Sequence, residues 1–288
     1  MPGFTNQATL SYRGNVTISN IVSGELVAVL SVSKTALTET YGADDIVTYA
    51  VNLVNNGTTA YTGLTLTDDL GGYTYGANTL VPLTYVDGSL RYFINGSLQA
   101  TPTPTTASPL TLSGISVPAG GNALLVYEAR VNSFAPLATD GLITNTVTVA
   151  GGGLTSSVQA DNTVTARDDA YLTINKAVSP ATVAENGTLT YTFTIQNYGN
   201  TEAVATDDVV VTDTFTPILS PITVTYEGSV WTEGTQYTYD AATGIFATVA
   251  GQITVPAATY ARDAATGAAT GAVIVTPGVR VLTVSGTV

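Results

Sequence analysis

The sequence predicts an all-β chain of two tandem sandwich domains preceded by a β-hairpin extension, and three observations predict it. Of 288 residues, 44% are hydrophobic and 10% charged, apolar material enough for two domains of ordinary size. Val, Leu, Ala and Tyr alternate with Thr and Ser in short runs bounded by Gly, Pro, Asn and Asp. That is the pattern of half-buried strands and turns, and no long stretch keeps a helical period. Finally, two segments repeat one another over most of their length.

The first repeat opens LSVSKTALTETYGADDIVTYAVNLVNNGTT at Leu30, the second LTINKAVSPATVAENGTLTYTFTIQNYGNT at Leu172. Lys34 pairs with Lys176, Tyr49 with Tyr191, Asn55 with Asn197 and Gly57 with Gly199, each 142 residues apart. LTLTDDL then matches VVVTDTF, setting Asp68 against Asp213, and Gly88 falls opposite Gly228. Ala123–Val131 matches Arg280–Val288.

The repeats differ at their ends. Repeat one runs on into a hairpin, ITNTVTVAGGGLTSSVQADNTVTA, from Ile143 to Ala166, whereas repeat two stops at the partner of Val131. Without a closing hairpin, a sandwich exposes sheet edges and part of its core. A match to the missing piece stands at the N-terminus, where FTNQATLSY parallels ITNTVTVAG (Asn6 with Asn145) and SNIV parallels DNTV (Asn20 with Asn162). Asn20 precedes Lys34 by 14 residues, and Asn162 precedes Lys176 by 14. The expected organisation is a donor hairpin extension at 1–28, a complete domain at 29–166, and a domain lacking its closing hairpin at 167–288. Three readings fit: a piece cut from a longer array, a hairpin folded back onto repeat two of its own chain, or a hairpin that completes repeat two of the next molecule. The short SGELVA linker disfavours the fold-back, which must reverse past a whole domain. The third reading is donor-strand complementation, a head-to-tail contact that builds a filament. Its interface residues are Phe4, Asn6, Ala8, Leu10, Tyr12, Ile18, Asn20 and Val22.

Period-two alternation assigns faces. Leu30, Val32 and Lys34 share one, as do Leu172, Ile174 and Lys176. Leu64 and Leu66 lead to Asp68, and Val209 and Val211 to Asp213. Ile143, Asn145, Val147 and Val149 form a set matched by Phe4, Asn6, Ala8 and Leu10. A Lys, an Asp and an Asn therefore point into each repeat, and a buried charge is costly unless paired. This trio meets the requirement for an isopeptide bond of the kind found in Gram-positive pilin and adhesin domains. A desolvated Lys is driven toward its nucleophilic amine, and the acid polarises the amide and carries the proton. The expected bonds are Lys34–Asn145 within the chain, with Asp68 as acid, and Lys176–Asn6 between chains, with Asp213 as acid. Asn162 and Asn20 are the alternative partners. A hydrogen-bonded Lys–Asp pair with no cross-link, or a Lys reaching solvent at the strand end, is the plainer reading.

The early strand ending in Lys, the stretches from Thr48-Tyr49 to Asn55 and Gly57 and from Thr190-Tyr191 to Asn197 and Gly199, the T-D strand ends and the late ITNTVTV strand together resemble the DUF11 repeat of large bacterial and archaeal surface proteins. The resemblance spans nearly the whole chain. It implies an Ig-like sandwich and a surface or stalk role, and no catalytic activity.

A net charge of −13 disfavours nucleic acid and anionic lipid as partners. The absence of His and Cys removes the commonest general base, the commonest metal ligand and any disulfide. Neither metal nor cofactor is expected. Asp44-Asp45, Asp168-Asp169 and Asp207-Asp208 lack recognised calcium spacing and read as turn carboxylates. No run reaches the ~20 apolar residues of a membrane helix, and residues 1–12 do not read as a signal peptide. AATGAATGA, from Ala264, reads as a flexible loop. The expected function is a self-assembling subunit of an extracellular filament on a cell or spore surface. The alternative is a monomeric stalk or adhesin module of a longer protein, and a carbohydrate-binding module or hydrolase has little support.

Overall fold

A computed structural model describes residues 3–25, 29–262 and 271–288. The linker residues 26–28 and most of the AATGAATGA stretch lie outside them. The fold is all-β: two tandem Ig-like sandwiches and an N-terminal hairpin.

In the first domain two six-stranded sheets face one another. One runs Ser97–Leu98, Arg91–Ile94, Asn122–Val131, Ile46–Asn55, Leu30–Ala36, with Leu83–Tyr85 also on the Asn122 strand. The other runs Pro104–Ala107, Leu110–Val117, Tyr61–Asp68, Leu142–Gly151, Val158–Ala166, Thr40–Tyr41. Alternation along each strand places Val47, Tyr49, Val51 and Leu53 against Leu64, Leu66, Val147 and Val149 in one dry core.

The second domain repeats this plan register for register. Lys34 stands opposite Val51 and Lys176 opposite Phe193; Tyr49 pairs with Tyr127 and Tyr191 with Val284. One sheet has five strands, Leu172–Ser179, Thr188–Asn197, Gly278–Thr287, Ile222–Tyr226 and Ser229–Val230. The other has only three, Thr212–Thr214, Ile245–Thr248 and Tyr237–Asp240. Among the described residues of this domain nothing occupies the places of Leu142–Gly151 and Val158–Ala166, so the Asp213 strand is a sheet edge.

The repeated N-x-G stretch is structural. Asn55 and Asn197 are buried; each amide donates to loop carbonyls, and each side-chain oxygen accepts the N–H of Gly57 or Gly199. The paired acids also have structural roles: Asp45 and Asp169 flank Arg167, and Asp207 accepts the Val204 N–H.

Repeat two carries an insertion that repeat one lacks. Thr259–Arg262 and Val273–Thr276 pair as an arm reaching the first domain. Val273 N–H donates to Ser133 O at 2.7 Å, and Arg262 donates to Phe134 O at 3.1 Å while its guanidinium stands 5.5 Å from the rings of both Tyr73 and Tyr75.

Candidate functional site

In the first domain the three polar residues converge on the core. Lys34 comes from one sheet, Asp68 and Asn145 from the other, and all three are buried. Lys34 Nζ lies 2.5 Å from Asp68 Oδ2, and the Tyr127 hydroxyl donates to the same oxygen. The Leu70 N–H donates to Asp68 Oδ1 at 3.0 Å. The Lys34 amine also sits 4.8 Å from the centroid of the Tyr49 ring. Burial drives the Lys34 ammonium down from the ordinary lysine range, against the opposing pull of Asp68. Burial, reinforced by Asp68, pushes the Tyr127 phenol well up.

Asn145 lies beside this pair. Val147, two residues on and on the same face, is the register partner of Asp68, so Asn145 is diagonal to the acid. Its side chain is fully buried facing Tyr49 and Tyr127, yet neither amide atom has a hydrogen-bond partner among the described residues. An orphaned buried amide costs ~1–3 kcal/mol. A buried lysine, a carboxyl group and a carboxamide without a hydrogen-bond partner among the described residues are thus gathered in one core, the groups that an amide exchange would need. Asn162, the alternative partner, accepts the Ala36 N–H at 3.2 Å.

The second domain holds half of this site. Lys176 pairs with Asp213 and sits 4.5 Å from the Tyr191 ring, 5.5 Å from Phe215 and 5.6 Å from Phe193. No described residue of the domain fills the Asn145 position, and Val284 stands where Tyr127 stands in the first. The Lys176 side chain is 41% exposed, whereas that of Lys34 is fully covered. The surroundings follow suit. Val32 and Ala36 are partly buried beside the Val158–Ala166 strand, but their counterparts Ile174 and Val178 are exposed. The result is an apolar groove with a lysine–aspartate pair in it.

The N-terminal segment is a hairpin, as expected. Gly3–Asn6 pairs with Val22–Glu25 and Thr9–Tyr12 with Asn15–Ile18. Asn6, Ala8 and Asn20 are exposed, as are Phe4, Leu10, Tyr12, Ile18 and Val22. The hairpin is not folded back into the groove of its own chain. Sequence reading overlooked Tyr127 as a partner of the acid. The signal was available: it lies on the inward face with Leu125 and Ala129, and a buried phenol needs an acceptor.

No protein-family model matches the chain, and no curated protein is similar to it. Among solved structures it is similar to the pilus backbone of Streptococcus pneumoniae, at 12% identity and a TM-score of 0.36 over 87% of this chain and 55% of that one. It therefore spans little more than half the length of that protein. It is also similar to the collagen-binding domain of a Staphylococcus aureus adhesin (12% identity, TM-score 0.30, 49% of this chain and 99% of that one). A third similarity is to the collagen-binding subdomain of the Enterococcus faecalis surface protein ACE (9% identity, TM-score 0.31, 50% and 99%).

Proposed function

We propose that this chain, built from repeats of the DUF11 type, is the structural subunit of an extracellular filament, not an enzyme, and that it polymerises head to tail by donor-strand complementation. One observation carries the reading. The second domain leaves bare the place where the first seats its Leu142–Ala166 hairpin, and a hairpin of matching sequence stands exposed at residues 3–25. The occupant of the groove is therefore the hairpin of a second copy. It pairs its first strand with the Asp213 strand and covers Ile174, Lys176 and Val178 with its second. Each large apolar side chain buried fully contributes about 1.5–3 kcal/mol before the costs of association.

Docking also brings Asn6 to the position that Asn145 holds in the first domain, beside Lys176 and Asp213. The proposed chemistry is the same at both sites. The lysine amine attacks the asparagine amide carbon, a C–Nζ bond forms, and the bond to Nδ2 breaks. The aspartic acid relays a proton from Nζ to the departing nitrogen, which leaves as ammonia. Lys34 and Asn145 react on folding, and Lys176 and Asn6 only on assembly.

Electron microscopy of the purified full chain tests the assembly. The expected outcome is thin filaments without other components, and none from a chain lacking residues 1–28. A peptide of residues 4–28 should cap growth. If the truncated chain forms the same fibres, donor-strand complementation is wrong; a full chain that stays monomeric favours a stalk or adhesin module.

A further inference from the structure

The free hairpin is not in the register its counterpart uses. In the first domain Asn145 stands opposite Asn162, Val147 opposite Ala160 and Val149 opposite Val158. Carried over residue by residue, that register sets Asn6 opposite Asn20, Ala8 opposite Ile18 and Leu10 opposite Val16. The free hairpin instead sets Asn6 opposite Val22, Leu10 opposite Thr17 and Ser11 opposite Val16. Near its base the slip is two residues, which leaves faces unchanged. Toward its tip the slip is one residue, which turns one strand's side chains over relative to the other's.

The consequence is chemical. At the tip of the free hairpin Leu10 and Tyr12 share a face with Thr17 and Asn15, while Val16 and Ile18 share the opposite face with Ser11 and Thr9. Apolar groups are divided between two wet faces, and neither face suits the groove. In the register of the first domain, Phe4, Asn6, Ala8 and Leu10 join Val16, Ile18, Asn20 and Val22 on one face. Two features hold the free register. Arg13 and Gly14 form a two-residue turn with φ of +47° and +81°, the pattern of a tight hairpin turn. Ser19 takes up the irregularity between the two halves, its N–H donating to Ala8 O and its hydroxyl accepting the Ala8 N–H, both at 2.9 Å.

We propose that the partner-binding face of this protein does not exist in the free subunit and is made by re-registration of the donor hairpin as it enters the groove of a second copy. Entry opens the Arg13-Gly14 turn into a loop spanning Ser11–Asn15 and exchanges solvent for the groove on one side only. The free register thereby protects the subunit from presenting a continuous apolar strand face before a partner is present. This rests on the donor-strand reading.

Disulfide locks separate the two registers, and the absence of native cysteine makes them clean. Ser11→Cys with Val16→Cys joins residues opposite in the free register, whereas Thr9→Cys with Thr17→Cys joins residues opposite in the docked register and outward-facing there. Fibre growth is followed by light scattering with each variant oxidised and reduced, and bond formation is checked by intact mass. The expected result is that the first lock abolishes growth until reductant is added, while the second grows oxidised at least as fast as reduced. Equal growth of the first variant in both states overturns re-registration, as does failure of the second when oxidised. Either result leaves the donor-strand reading standing, because that reading falls only if the chain lacking residues 1–28 still makes fibres.

Discussion

The chain builds one lysine–aspartate pair twice, sealed in the first domain and open in the second. The backbone around the pairs is nearly the same, with Lys34 opposite Val51 and Lys176 opposite Phe193. What differs is the closing hairpin. Where Leu142–Ala166 is present, Lys34 is buried, the acid has three partners and an asparagine lies beside it. Where it is absent, Lys176 faces solvent along an apolar groove. Burial of the lysine is therefore a property of the hairpin rather than of the lysine strand, and a hairpin from elsewhere can supply it. On the proposed assembly, the step that completes the sheet is also the step that buries Lys176.

The largest effect expected from this comparison is the loss of covalent assembly. Filaments boiled in detergent should give a ladder of oligomers, and Lys176→Ala or Asn6→Ala should each abolish it. The monomer should lose one ammonia by intact mass, and Lys34→Ala should restore the full mass. Clean dissociation of wild-type filaments to unmodified subunits would keep the docked hairpin and remove the bond.

A smaller contrast concerns stability. In an Asn145→Ala background, where no cross-link forms, Lys34→Ala leaves Asp68 buried without its cation, a change that costs about 3–5 kcal/mol when a buried pair is broken. Lys176→Ala in the monomer breaks a pair whose lysine is 41% exposed, and about 1 kcal/mol or less is expected. Urea denaturation of the two variants measures the difference. Equal losses would mean that the second site is as closed in solution as the first.

Much of this comparison was legible in the sequence, for a physical reason. Period-two alternation fixes which residues of a strand share a face, and a repeat carries that assignment from one copy to the next; hence Lys34, Asp68 and Asn145 were expected in one core and are found there. The register of the N-terminal hairpin was not legible. Register is specified where one face is buried, and residues 3–23 are exposed on both faces, so the short turn at Arg13-Gly14 decides it instead. The arm formed by Thr259–Arg262 and Val273–Thr276 escaped for another reason. Its contacts with the first domain run through Arg262 and through backbone groups of Ser133 and Phe134, and backbone acceptors leave no trace in composition.

The smallest effect expected is a pH dependence whose rising limb comes from the first domain. It is cleanest in Asn145→Ala, where Lys34 has no amide to react with and remains titratable. Burial lowers the pKa of Lys34 in the folded chain below the unfolded value, set at 10.5. The unfolded chain then binds more protons than the folded one between those two values. Stability should therefore rise with pH through that window, by less than about 1.4 kcal/mol per pH unit for a single group. Below the folded pKa both states carry the proton, and Lys34 contributes no slope. Above pH 10 the sign reverses, because Tyr49 and Tyr127 are held protonated by burial while unfolded tyrosines ionise. Lys34→Met in the same background should remove the rising limb and leave the falling one. Urea midpoints of both variants between pH 7 and pH 11 would show it. A rising limb that survives Lys34→Met would place its origin in another group and show that the sealed lysine carries its proton as readily as an exposed one.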